Sequence, residues 1–206
     1  MKLNKISATG SKSSVTVSDQ VFAVKVNPSL LTLAVRVYLS NLRQGTSKAK
    51  TRGEINRTKK KWYKQKGTGN ARHGARSANI FVGGGVAHGP KGETDWTLKM
   101  SATMKKKALQ GALTVQVEKI LVSDAFNNLN GKTKEAALIL RKLAVAQKDK
   151  VLVLLPENTL EINRSLRNVE QVLVRNVRLL NTLDVLTADK ILMTSEALKK
   201  LEERLA

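Results

Sequence analysis

The chain has 206 residues, enough for one domain with a real core and borderline for two. Its 37 Lys and Arg against 16 Asp and Glu leave a formal net charge of +21, while 41% of its residues are apolar, so it is neither a disordered polymer nor a neutral globule. The lack of cysteine excludes disulfides, thiolate metal sites and cysteine nucleophiles, and no run approaches the roughly 20 apolar residues that cross a membrane.

Met1 to Ser18 is polar and holds no stretch able to act as a signal peptide, which together with the missing cysteines points to the cytoplasm. Asn27, Pro28 and Ser29 then make a helix start, and Leu30, Leu31, Ala34, Val35, Tyr38 and Leu42 recur at helical spacing until Gly45 supplies a stop. From Arg43 to Arg76 the composition changes. That window of 34 residues carries 12 Lys or Arg against one acid, Glu54, and Ile55 is its only Val, Ile, Leu or Met. Such a stretch buries too little apolar surface to offset its ordering entropy, so alone in water it is expected to be disordered. The depletion continues more weakly to about Leu98, through Gly83, Gly84, Gly85, Gly89 and Gly92. A structureless segment of this size far exceeds an ordinary loop. The preceding residues are too few to fold alone, so it reads as an extension of one body rather than a linker.

Beyond it, Met104, Ala108, Leu109, Ala112 and Leu113 form a second helical stripe, with Lys105, Lys106 and Lys107 on its first turns. Ile120 to Val122 is a short strand, and Thr133 is placed to cap a third helix carrying Ala136, Ala137, Leu140 and Leu143. Val151 to Leu155 is a continuous apolar run closed by Pro156, the pattern of a strand buried on both faces. A helix at Leu160 to Asn168, strands at Val172 to Val174 and Ile191 to Met193, and a last helix capped by Ser195 complete the chain. Strand and helix in alternation predict an α/β fold: a mostly parallel sheet flanked by helices, Rossmann-like in topology, with a long extended basic loop inserted between the first two helices. The body is expected at 1–45 and 99–206 and the loop at 46–98.

In the loop, Lys59, Lys60, Lys61, Trp62, Tyr63, Lys64, Gln65 and Lys66 interleave cations with rings. Cations meet phosphates, and flat rings stack on unpaired bases at about 1–3 kcal/mol each. Trp62, with no aliphatic partner nearby in sequence, favours packing against RNA over local packing; Trp96, near the body, favours the reverse. The residues expected to contact RNA are Arg43, Lys48, Lys50, Arg52, Arg57, Lys59, Lys60, Lys61, Trp62, Tyr63, Lys64, Lys66, Arg72, His73, Arg76, Lys105, Lys106 and Lys107. Glycines around Gly67 and Gly69 admit φ > 0 or a close backbone approach.

Enzymatic readings fail on their residues. Gly69 and Gly74 have the spacing of a phosphate-binding loop, but Ala75 stands where its lysine belongs and no strand precedes it. Gly67 and Gly69 lack the third glycine of a dinucleotide fingerprint. His73 and His88 have no carboxylate pairs beside them for a metal shell and read as RNA contacts or exposed side chains. No nucleophile elbow is present, so neither catalysis, metal nor cofactor is expected. A general DNA-binding protein is the remaining rival; it calls for a recognition helix or a minor-groove arm.

Arg43-Gln44-Gly45-Thr46, Lys50-Thr51-Arg52-Gly53-Glu54, Trp62, Gln65-Lys66-Gly67-Thr68-Gly69, Ala71-Arg72, Gly84-Gly85-Val86 and Gly89-Pro90, in this order, resemble the L-four family of bacterial large-subunit ribosomal proteins. Arg167-Asn168, Leu180-Asn181, Asp184-Val185-Leu186, Lys190, Thr194 and the ending Leu201 to Leu205 extend the resemblance over roughly residues 15 to 206. The resemblance implies a structural constituent of the large subunit that binds its ribosomal RNA and supports assembly. It implies a loop tip at Lys66, Gly67, Thr68, Gly69 and Asn70 that lines the nascent-peptide exit tunnel. Its implied partners are large-subunit rRNA, neighbouring ribosomal proteins including L-twenty-two, and the nascent polypeptide, with no membrane. The chain departs from the family pattern at Lys61, where proline is usual, at Asn70, where arginine is usual, and at Phe81-Val82, where a tryptophan-arginine pair is common. The link between the second helix and Ile120 is also short.

Overall fold

A computed structural model of the protein describes residues 1–7, 11–143, 148–157 and 159–205. The chain divides into two compact units, one of Met1–Tyr38 with Lys99–Ala206 and the other of Leu39–Leu98.

The first unit is built on one six-stranded mixed sheet. In chain order it contains β1 (Lys2–Ile6), β2 (Lys12–Thr16), α1 (Asp19–Phe22), α2 (Pro28–Asn41, whose last residues belong to the second unit), α3 (Ala102–Val115) and β3 (Ile120–Val122). Then follow α4 (Thr133–Lys142), β4 (Val151–Leu155), α5 (Leu160–Leu166), β5 (Val172–Asn176), α6 (Thr182–Thr187), β6 (Lys190–Met193) and α7 (Ser195–Leu205). Across the sheet the strands run β2-β1-β3-β6-β4-β5. β1 and β2 pair antiparallel, with Leu3 opposite Val15, and all other pairings are parallel, including Val153 beside Leu192 and Val172 beside Val151.

The parallel core and its helical layers agree with the α/β expectation. The strand order does not have the 3-2-1-4-5-6 arrangement of the dinucleotide-binding fold, so the Rossmann-like description is corrected. The edge hairpin of β1 and β2 is absent from the expected elements. Lys2–Ile6 buries Leu3 alone, and β2 has no fully buried residue, so neither strand carries the alternation that marks a half-buried strand. The short α1 likewise precedes the first expected helix, which places the basic insertion between α2 and α3 rather than between the first two helices.

β4 shows why the sheet is covered on both faces. Every residue of Val151–Leu155 is buried, and side chains alternate between faces. Leu152 and Leu154 join one cluster with Ile191, Met193, Leu113 of α3 and Leu201 of α7. Val151, Val153 and Leu155 join the other with Leu192, Phe126, Leu140 of α4 and Leu166 of α5. Each such aliphatic side chain contributes about 1.5–3 kcal/mol when removed from water. The short link after α3 is a 3-10 turn, Val117–Lys119, which delivers the chain directly into β3.

Two helix starts differ from expectation. At α4 the capping position is taken by Lys132, which makes no side-chain cap hydrogen bond, and Thr133 is the first helical residue. At α7 the cap is Thr194: its Oγ1 accepts from Ala197 N at 3.2 Å, while its carbonyl accepts from Leu198 N. Ser195 is engaged elsewhere, because its N and Oγ both donate to Asp124, at 2.7 and 2.8 Å. Lys5 Nζ meets the same carboxylate at 2.8 Å, so the ends of β1, β3 and β6 are tied at one point. Burial works against that charge, but Lys5 and Ser195 outweigh it and hold the Asp124 carboxyl below the usual carboxylate range. No helix among the described residues is long and apolar enough to cross a membrane.

Candidate nucleic-acid interface

The unit Leu39–Leu98 contains no helix beyond the end of α2 and no ladder longer than an isolated bridge. It is nevertheless not structureless. Near its ends, Asn41 exchanges two bonds with Leu98, its Oδ1 accepting from Leu98 N at 2.8 Å and its Nδ2 donating to Leu98 O at 3.2 Å. Ser40 Oγ donates to Trp96 O at 2.6 Å. Further along, Lys48 bridges Lys91, Ala49 N donates to Pro90 O, and Val86 N donates to Lys50 O. The outgoing and returning chains therefore run side by side and exchange backbone bonds at intervals. Few apolar contacts are needed for this, which is why a reading based on aliphatic content misses it.

A second closure forms farther out. Lys61 bridges Ala75 and Trp62 N donates to Gly74 O at 3.0 Å, pinching off the loop 62–74. Tyr63 Oη donates across that loop to Ala71 O. Lys66, Gly67, Thr68, Gly69 and Asn70 are all exposed at its apex. Gly67 and Gly69 adopt φ of +82° and +66°, and no atom lies within 4 Å of the position a Cβ would take on either. Their glycine requirement is conformational. Gly84 and Gly85 differ: a Cβ there would lie 2.0 Å from Ala78 O and 2.2 Å from Arg52 N, so these positions pack against the unit's own backbone.

Behind the apex sits an aromatic cluster. Trp62 and Phe81 meet edge to face at 5.3 Å between centroids, His73 and Phe81 at 5.0 Å, and Tyr63 and His73 at 6.0 Å. The Arg76 guanidinium lies 5.1 Å from the Trp62 ring centre. Trp62, expected to favour packing against RNA over local packing, thus has local partners as well, rings standing in for the aliphatic side chains that the segment lacks. Trp62 still leaves 49% of its surface exposed. His73 is half-buried in the cluster, in contrast to exposed His88. Trp96 packs locally, with Arg43 4.6 Å over its ring and Gly45 (φ +70°) beneath it. Phe81 is not among the expected site residues; a phenylalanine in a glycine-rich stretch is the signal for it.

The cations fall into three groups. Lys48 forms an ion pair with Glu54 at 2.9 Å, and Glu54 also accepts from Thr51 N and Oγ1 at 2.9 and 3.0 Å. The Thr51 backbone N–H first, then Lys48 and the Thr51 hydroxyl, hold the Glu54 carboxyl at about 2, and Glu54 in turn raises Lys48 above its ordinary value. Arg57 donates to Val82 O at 3.3 Å, beneath Gly83, and Lys61 Nζ donates to Gln65 Oε1. Lys48, Arg57 and Lys61 are thus engaged within the unit. Arg43 and Arg76 cover the tryptophans. Lys50, Arg52, Lys59, Lys60, Lys64, Lys66 and Arg72 project into solvent. Lys105, Lys106 and Lys107 are exposed on α3, which belongs to the other unit. Among the described residues, no group of three or more His, Asp or Glu could hold a metal.

The sequence profile of the Ribosomal protein L4/L1 family matches residues 15–204. The chain is 41% identical over 193 residues to the large ribosomal subunit protein uL4 of Aquifex aeolicus, covering 92% of this chain and 96% of that protein. It is 39% identical to the protein of the same name from Prosthecochloris aestuarii, over the whole of both chains. With that of Lachnospira eligens it shares 41% over 192 residues, 92% of this chain and 91% of the relative.

Proposed function

The chain belongs to the ribosomal protein L4/L1 family, and from that premise we propose that its basic unit inserts into large-subunit ribosomal RNA. Membership makes the protein a structural component of the large ribosomal subunit and not an enzyme. The observation that carries the RNA reading is the set of exposed cations on Leu39–Leu98. Among the described residues, Lys48 is the one cation of this unit in an ion pair, and Glu93 and Asp95 are the only other acids in it, so most of its positive charge is left without a partner carboxylate. RNA phosphates would compensate it, with release of condensed counterions.

Lys50, Arg52, Lys59, Lys60, Lys64, Lys66, Arg72 and the exposed lysines of α3 act as phosphate contacts, and the open faces of Trp62 and Tyr63 stack on bases. The segment becomes fully ordered as RNA closes around it, its extended reach being set by that environment. Its apex, Lys66 to Asn70, lines the nascent-peptide tunnel, where L-twenty-two and the nascent chain are its neighbours. The body at 1–45 and 99–206 anchors the segment 46–98. The place of action is the cytoplasm.

Sedimentation of a lysate through a sucrose gradient in high salt, with the chain followed by immunoblot, tests this. Co-migration with the large subunit after the salt wash is the expected result, since inserted structure resists screening. Release to the top of the gradient would leave surface electrostatics alone and move the reading to a general nucleic-acid binder.

A further inference from the structure

The turn that leads into α4 carries a residue pair found nowhere else in the chain: Asn130-Gly131 is its only asparagine followed by glycine. The pair lies between a 3-10 turn, Asp124–Asn128, and the start of α4 at Thr133, in no helix or strand. Leu129 before it is buried in the cluster that includes Leu140 of α4 and Leu166 of α5, so the chain is pinned on that side. Asn130 itself is exposed, and Gly131 has φ +82°. Among the described residues, neither the Asn130 carboxamide nor the Gly131 N–H makes a hydrogen bond. Lys132, Lys134, Arg164 and Arg167 stand around the same opening as Gly131. A Cβ on the glycine would lie 3.7 Å from Arg164 Cδ, so the stem of that arginine runs beside it.

We propose that Asn130 is a site of spontaneous covalent modification, converting to isoaspartate and aspartate through a cyclic imide formed with Gly131. The Gly131 nitrogen, having given its proton to solvent, attacks the Asn130 side-chain carbonyl carbon, Cγ. The new N–Cγ bond closes a five-membered succinimide as the Cγ–Nδ2 bond breaks, and Nδ2 takes up a proton and leaves as ammonia. Water then opens the ring at either carbonyl. One opening gives aspartate; the other gives isoaspartate, with the main chain rerouted through the former side chain. Three features favour ring closure here. Glycine presents no Cβ to shield its nitrogen and lets the backbone turn toward the closing geometry. With neither reacting group hydrogen-bonded, no such bond has to be broken first. The surrounding cations favour the anionic nitrogen and the anionic addition intermediate, an effect that weakens as salt screens it. The product carboxylate is then attracted by the same four cations, and the isoaspartyl form adds one carbon to the main chain between pinned Leu129 and α4. Charge and backbone length at the entry to that helix both change.

The test incubates the full chain in mildly alkaline buffer at physiological temperature and follows each asparagine over days by peptide mapping and mass spectrometry. Isoaspartyl residues are identified by labelling with an isoaspartyl methyltransferase. Asn70 and Asn79, also exposed but followed by Ala71 and Ile80, serve as references within the same sample. The mass gain of an amide-to-acid change is expected to accumulate at Asn130 at least severalfold faster than at either reference, with isoaspartate the larger product. Gly131→Ala should suppress it severalfold. Because a Cβ at φ +82° strains the backbone, Asn130→Gln is run beside it; its imide would need a six-membered ring, and it should show the same suppression with the glycine untouched. Lys132→Ala combined with Arg164→Ala should slow conversion at low salt and change little at high salt. Equal rates at low salt would overturn the role given to the cations. Conversion at Asn130 no faster than at Asn70 and Asn79 overturns the proposal. So does aspartate formed without isoaspartate, since that would mean direct hydrolysis of the carboxamide rather than passage through the imide.

Discussion

Gly84 and Gly85 sit where the second unit folds most tightly on itself. Gly84 N donates to Phe81 O at 2.8 Å and Gly85 N to Ser77 O at 3.0 Å. A methyl group at either position would occupy space held by backbone, which cannot rotate away as a side-chain tip can. Gly84→Ala or Gly85→Ala is therefore expected to open the turns around Ala78 at a cost of about 1–3 kcal/mol, seen as faster hydrogen exchange of these two amides. Gly53→Ala, with nothing within 4 Å, should leave exchange unchanged; equal effects at all three positions would sink the steric account. Glu54 offers a second test at this scale. Its carboxyl is held at about 2 against an ordinary 4.5. A depressed carboxylate adds stability that is fully present above the ordinary value and is lost as pH falls through the folded one. The interactions of Glu54 with Lys48 and Thr51 should thus persist at pH 4 and fail near 2. A carboxyl ¹³C titration of Glu54 with its midpoint near 4.5 would contradict the geometry.

At the scale of elements, legibility in the sequence tracks how much of an element's character is local. The run Val151 to Leu155 declares a doubly buried strand by itself, and the structure returns β4 with those bounds. β1 and β2 cannot be read that way, because their pairing partner rather than an apolar pattern makes them strands. The same divide runs through the candidate site. Its cations are visible as composition, whereas the packing of Trp62 on Phe81 joins residues far apart in the chain that say nothing of each other locally. The helix caps show the limit most finely. Thr194 and Ser195 are both good capping residues, and Asp124 decides between them by taking both the N–H and the hydroxyl of Ser195. Thr194→Ala is expected to lower stability by about 1 kcal/mol in denaturant unfolding, the usual worth of a helix cap. Thr194→Ser, which keeps the hydroxyl, should restore most of it. No loss in the alanine variant would return the cap to Ser195.

For the whole molecule the governing quantity is the +21 charge and its uneven placement. The body holds both apolar clusters, and the basic unit holds no comparable one among the described residues. Stability and RNA affinity therefore draw on different residues and should be separable. Replacing Lys59, Lys60, Lys64 and Lys66 by alanine removes exposed charge and no buried side chain. For every phosphate left without its lysine, the salt slope of RNA binding should fall by roughly 0.7–0.9. The melting temperature should hold steady or rise slightly at low salt, because self-repulsion is reduced. That gain should vanish as salt is raised, since exposed charges more than about 8–10 Å apart are already screened near physiological ionic strength. A melting temperature that falls together with RNA affinity would instead mean that these lysines support the fold, and the division of labour between core and charge would have to be abandoned.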